Sequence, residues 1–149
     1  MSAPIVRKAA PTDEPAILQL DAVAREDARR VAFVRRVIDA GQAYVATTPQ
    51  GAVTGYAALD YSFYDQGFVS MLYVALDHRR KGAATALMVH LESLCETPKI
   101  FTSTNQSNTP MQRLLSKLAY SPSGVIENLD PGDPELVYVK FIRRDFAAA

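Results

Sequence analysis

The sequence predicts an α/β domain built from seven strands and four helices, and three observations carry that prediction. Short runs rich in β-branched and aromatic residues alternate with stretches whose apolar residues recur every three or four positions. One near-continuous apolar run, Phe68 to Tyr73, reads as a buried central strand that breaks into a tight basic turn and then starts a helix. The chain has 149 residues, 48% of them apolar, which suits one domain over residues 1–149 with a single core.

The elements follow in order. Ile5 to Ala9 reads as a first strand. Thr12 offers a helix cap, with Asp13 and Glu14 favourably placed in a first turn before Ile17, Leu18 and Leu20. A second helix is expected from about Ala24 to Ala40, with Val31, Val34 and Ile38 on one face and Gly41 as a stop. Ala43 to Thr47 and Val53 to Asp60 are strands joined by the turn Thr48-Pro-Gln-Gly51. Phe68 to Val74 is the central strand, and Ala83 to Cys95 is a helix with Ala84, Leu87, Met88, Leu91 and Leu94 at helical spacing. Lys99 to Thr104 is a strand. Thr109 then caps a helix, with Pro110 at its first position and Gln112 completing a capping box. Met111, Leu114, Leu115 and Leu118 form its buried face. Val125 to Glu127 and Leu136 to Phe141 make a closing hairpin around Asp130-Pro-Gly-Asp133.

Composition excludes several classes. Sixteen basic residues balance sixteen acidic ones, which argues against a nucleic-acid binder. The single cysteine, Cys95, rules out an internal disulfide and fits a reducing, cytoplasmic compartment. No apolar run approaches a membrane span, and the first fifteen residues lack the apolar block of a signal peptide. Two scattered histidines and one cysteine supply no zinc site, so no metal is expected.

The chemistry concentrates in the basic turn after the central strand. Gly82, Ala83 and Ala84 are small enough for main-chain N–H groups to approach a ligand closely. Arg79, Arg80 and Lys81 add positive charge where a helix N-terminus is already partly positive. The combination is a polyanion cradle suited to a pyrophosphate. It is not a Walker A loop, since no Gly-Lys-Ser/Thr follows, nor a dinucleotide fingerprint, since it has one glycine.

Arg79-x-x-Gly82-x-Ala84, five residues after Val74, resembles the acyl-coenzyme A signature of the GNAT acyltransferase superfamily. The order of elements from about residue 4 to residue 142 is similar to the GNAT fold as well. That resemblance implies a mixed central sheet whose fourth and fifth strands splay apart around a pantetheine arm. It implies acetyl-CoA as co-substrate, with main-chain groups of Leu72, Tyr73 and Val74 holding the arm. The main chain of residues 79–84, plus Thr85, would hold the pyrophosphate. Asn108, with Asn105 as the alternative, would bond the pantetheine amides.

The implied activity is N-acetylation of a primary amine by direct transfer through a tetrahedral intermediate. The alternative is an acyl-CoA-binding module that does not turn over. Two departures from the family pattern keep both open. Leu115 stands where many members have the tyrosine that protonates the leaving thiolate, so another hydroxyl, Tyr73 or Ser107, or else water, is the substitute. The fourth strand carries no carboxylate, which leaves Ser70 as its polar candidate for handling the amine's proton.

The acidic stretch Glu127 to Glu135 leads on the acceptor, because its carboxylates would attract a cationic amine. Glu127 and Glu135 are the expected binding groups, with Glu127 also a candidate base, and Tyr61, Phe63 and Tyr64 are candidate walls. The acceptor could be a small molecule or a protein amine. A homodimer is a family-level expectation only.

Overall fold

The structure is a computed structural model that describes residues 3–142. Its strands are β1 (Ile5–Lys8), β2 (Ala43–Thr47), β3 (Val53–Phe63), β4 (Gln66–Val74), β5 (Lys99–Asn105), β6 (Ser121–Ile126) and β7 (Glu135–Phe141). Its helices are α1 (Glu14–Leu20), α2 (Ala28–Asp39), α3 (Ala83–Leu94) and α4 (Thr109–Lys117). The strands bond in the order β1-β2-β3-β4-β5-β7-β6 as one mixed seven-stranded sheet. The expected element order holds throughout. By contacts the chain divides into two units, one formed by residues up to Leu59 with Met71–Ser93, the other by Asp60–Ser70 with the chain from Leu94 onward. No helix among the described residues is long and apolar enough to cross a membrane.

In the first unit, β1 and β2 pair antiparallel, as do β2 and β3. Ile17, Val34, Val37, Val45 and Tyr56 are essentially removed from solvent and tie α1 and α2 to the strands. Burial of such side chains stabilises by about 1.5–3 kcal/mol each. Arg7 grips Asp13 through two bonds of 2.8 and 2.9 Å, which sets the entry to α1. That contact, reinforced by the Ala10 N–H, holds the Asp13 carboxyl below its usual range against the opposing effect of burial.

The second helix begins four residues later than the apolar pattern suggests. Asp27 is extended at φ −133° and its carboxylate accepts from the Arg29 N–H, so it caps α2 and leaves residues 21–26 as a turn.

In the second unit, β4 and β5 run parallel over the pairs Gly67–Ile100, Phe68–Phe101 and Val69–Thr102. β4 itself continues to Val74 and β5 to Asn105. β5 pairs antiparallel with β7 along its whole length, and β6 pairs antiparallel with β7. β6 is longer and earlier than the expected 125–127, because Ser121-Pro-Ser-Gly124 joins the ladder with a slip between Pro122 and Gly124. An edge strand tolerates a proline that cannot donate, and all six residues of β6 are exposed. Glu127 therefore lies beyond the strand instead of on it. The cap of α4 is Asn108, whose Oδ1 accepts from the Met111 N–H at 3.2 Å. Thr109 is already helical, and the Gln112 amide donates to the Gln106 carbonyl at 2.6 Å instead of closing a capping box.

Candidate functional site

The cradle is built by main-chain geometry. After Val74 the chain makes a 3-10 turn over Leu76–His78, and then Arg80 (φ 64°) and Gly82 (φ 89°) both adopt left-handed conformations. Only glycine takes such a φ without steric cost, and an arginine held there is strained. The first internal bond of α3 runs from the Ala86 N–H to the Gly82 carbonyl at 3.0 Å. The N–H groups of Ala83, Ala84 and Thr85 precede it and emerge at the helix start, where an anion is favoured.

The three basic side chains divide their labour. Arg79 donates from Nε to the Val74 carbonyl at 2.9 Å and lies 5.6 Å from the Tyr73 ring centroid, so it braces the end of β4. Arg80 and Lys81 are exposed. Lys81 joins His78, Thr47, Thr48, Gln50 and Ala83 around a cavity of about 270 Å3 next to the helix start. Gly55 keeps β3 close to this strand end, since a Cβ there would sit 2.8 Å from the Tyr73 carbonyl oxygen.

A buried cluster not anticipated from the sequence steadies the α1–α2 turn. Asp21 is fully buried and accepts from Tyr56 Oη at 2.5 Å, Arg30 Nη1 at 2.6 Å and the Val23 N–H at 2.9 Å. Burial first, then the bond to Asp21 and its charge, hold the Tyr56 phenol far above its ordinary pKa. Tyr56 is thus neutral and structural. Tyr73 Oη accepts from the Ala22 N–H at 3.2 Å, which pins the same turn to β4. Residues of that turn, with Asp27 and Arg29, border a broad open cavity of about 630 Å3. The only advance sign of the cluster was a carboxylate at the end of an apolar helix.

In the second unit the predicted residues fall into three groups. Ser70 Oγ on β4 is closed to solvent and has no hydrogen-bond partner, as has Gln66 Oε1 on the same strand. Glu135 lies opposite Asn105 in the β5–β7 ladder and accepts from Ser103 Oγ at 2.7 Å. Asn105 Nδ2 donates to Asp130 Oδ2 at 2.8 Å and to the Asp133 carbonyl at 3.3 Å. Ser107 donates through its N–H and Oγ to the two oxygens of Asp133 at 3.0 and 2.6 Å. Asp130 and Asp133 therefore latch the β6–β7 turn to the segment after β5.

Tyr61 accepts at Oη from the Glu96 N–H at 3.1 Å, while Tyr64 is 85% exposed in the left-handed β3–β4 turn. Glu127 is exposed. Leu115 is fully buried, as its spacing on α4 predicts, and Cys95 is a buried thiol just past α3.

Residues 10–120 match the model of the acetyltransferase (GNAT) family, and the chain belongs to that family, whose chemistry is acetyl transfer. Among solved structures it is similar to a GNAT family acetyltransferase from Bacillus cereus, at 31% identity over 94% of this chain and 98% of that one, with a TM-score of 0.87. It also shares the fold of yncA from Salmonella typhimurium, solved with acetyl-CoA, at 18% identity, 96% of each chain and a TM-score of 0.74. Arabidopsis thaliana NAA60, solved with a bisubstrate analogue, aligns at 16% identity over 93% of this chain and 98% of that one, with a TM-score of 0.71. No curated protein is matched by sequence.

Proposed function

We propose that the protein transfers the acetyl group of acetyl-CoA directly to the nitrogen of a cationic primary amine. The observation that carries this reading is the run of N–H groups at Ala83, Ala84 and Thr85, presented by a left-handed Gly82 at the start of α3. A pyrophosphate suits that cradle, with Arg80 and Lys81 contributing charge from the rim. Main-chain groups of Leu72, Tyr73 and Val74 would take the pantetheine arm, with Arg79 as a brace instead of a phosphate ligand. On the second unit, the Asn108 amide is the candidate for the arm's carbonyls. Asn105 is the weaker one, because its own amide already serves the β6–β7 turn.

An acceptor amine has a pKa of about 10 and must lose a proton before it attacks. The neutral nitrogen adds to the thioester carbonyl carbon, the carbon–sulfur bond breaks, the sulfur leaves as thiolate, and the proton shed by the nitrogen passes to water. Ser70 Oγ, an oxygen without a partner on β4, is the candidate to accept from the attacking N–H. The Tyr73 hydroxyl accepts from the Ala22 N–H through its oxygen, so its own O–H is the candidate to donate a hydrogen bond to the departing thiolate. Leu115 takes no part, being packed in the core. Glu135, with Glu127 at the turn, supplies the negative charge that draws the ammonium.

Free-thiol release from acetyl-CoA against a panel of primary amines tests this, alongside calorimetry of CoA binding. Amine-dependent thiol release is expected. CoA binding with no turnover on any amine would make the protein a binding module, the reading that the loss of tyrosine at Leu115 favours. Absence of CoA binding would overturn both.

A further inference from the structure

The second unit carries an aromatic platform beside its acidic group. β5 alternates strictly, with Ile100, Thr102 and Thr104 buried and Lys99, Phe101, Ser103 and Asn105 half-exposed. Phe68 sits beside Phe101 in the parallel ladder. Phe63 stacks on Phe68 with ring centroids 5.2 Å apart and planes at 18°, and tilts against Phe101 at 5.0 Å. Three half-exposed rings thus form one surface. One side of it ends at Gln66, two residues before Phe68, whose Oε1 is closed to solvent and accepts from nothing. In the other direction, Ser103 follows Phe101 along β5 and holds one oxygen of Glu135 at 2.7 Å.

We infer that this platform selects the acceptor, and that the preferred substrate is an ammonium carried on an aromatic body. The inference rests on the amine-acetylation reading above. Half-exposed rings at an edge-to-face or offset geometry are completed by another ring. Glu135, kept in place by Ser103, draws the cation towards the same face. A hydrophilic amine of equal charge would meet the carboxylate but leave the rings wet. Site-based discrimination of this kind amounts to on the order of tenfold or more.

The test compares kcat/KM for 2-phenylethylamine and ethanolamine in the thiol-release assay, with calorimetry of 2-phenylethylamine binding in parallel. A preference of about tenfold or more for the aromatic amine is expected. Phe68→Leu should remove most of it, and Phe63→Leu, which takes away the ring packed on both Phe68 and Phe101, should reduce it several-fold. Circular dichroism of both variants, and the ratio of two amines read on the same protein, guard against a folding defect at Phe68. Peptide amides beginning with Phe and with Ser repeat the comparison for an aromatic N-terminus, and preference in either pair supports the platform's role. If no amine is turned over but 2-phenylethylamine binds the wild type and is lost in the variants, the inference stands and the transfer reading falls. Equal kcat/KM within both pairs, or binding indifferent to both variants, overturns the inference.

Discussion

The cradle between β4 and α3 and the turn between β6 and β7 are both short charged loops, yet they hold themselves by opposite means. The cradle is shaped by main-chain torsion, with Arg80 and Gly82 left-handed and the helix amides pointing outward. Its basic side chains stand at the rim or, for Arg79, fold back onto β4. The β6–β7 turn is held by side chains, with Asp130 and Asp133 clamping Asn105 and Ser107. A loop's formal charge therefore says little about the charge it offers a ligand. The acidic turn has two of its carboxylates committed to its own structure, whereas the cradle would offer an anion main-chain N–H groups that carry no formal charge, with Arg80 and Lys81 only at its rim.

The largest effect should come from breaking main-chain geometry in the cradle. Gly82→Glu imposes a side chain on a φ of 89° and sets a carboxylate where a pyrophosphate is proposed. Left-handed backbone costs a non-glycine residue about 1–2 kcal/mol, and juxtaposed like charges cost several more. CoA affinity measured by calorimetry should fall on the order of 100-fold or more, with helical circular dichroism retained. Lys81→Gln should cost only a few-fold, and that loss should disappear in high salt, because Lys81 is an exposed rim charge. Equal losses from the two variants would mean that side-chain charge, not main-chain shape, holds the anion.

A middle effect is expected from cutting the latch. Asp133→Ala removes two bonds to Ser107 at once, one of them to a backbone N–H. Loss of charge-assisted bonds costs about 1–3 kcal/mol, which in a domain of this size lowers Tm by several degrees. Because the contact is short-ranged, the loss should be nearly independent of salt. A variant as stable as the wild type, but with a weaker acceptor interaction, would restore Asp133 to the role of substrate attractor.

The two loops also differ in how far they could be understood before the fold was in view. The cradle was legible because its determinants are local: a small-residue run after an apolar strand dictates its own torsions and the helix start. The seven strands and four helices followed from periodicity in the same way. The late start of α2 was not legible, because Ala24-Arg-Glu-Asp27 is as acceptable on an exposed helix turn as in a loop, and only the extended backbone of Asp27 makes it the cap. The first four residues of β6 were hidden because Ser-Pro-Ser-Gly has turn composition, and only their partner β7 makes them a strand. Asp21, Arg30 and Tyr56 meet from positions up to 35 residues apart, and no spacing rule joins them. The partners of Asp130 and Asp133 lie 25 and 26 residues upstream, so sequence could count the charges but not see which were already engaged.

The smallest expected effect sharpens the comparison further, since it concerns an acidic residue of the same turn that holds nothing together. Glu127 is exposed and lies past the last residue of β6. Its removal should leave stability within about 0.5 kcal/mol of the wild type, in contrast to Asp133. Whatever Glu127 does for a cationic acceptor it does through solvent, as a long-range field. Glu127→Gln should then raise the acceptor KM by about two- to threefold at low ionic strength, the scale of an exposed charge pair, with kcat nearly unchanged. The difference should vanish towards 1 M salt, where the Debye length has fallen from about 10 Å at 0.1 M to about 3 Å. A large drop in kcat at constant KM would instead identify Glu127 as the base that takes the amine's proton, and the β6–β7 turn would then act on the reaction through a side chain in direct contact with the substrate.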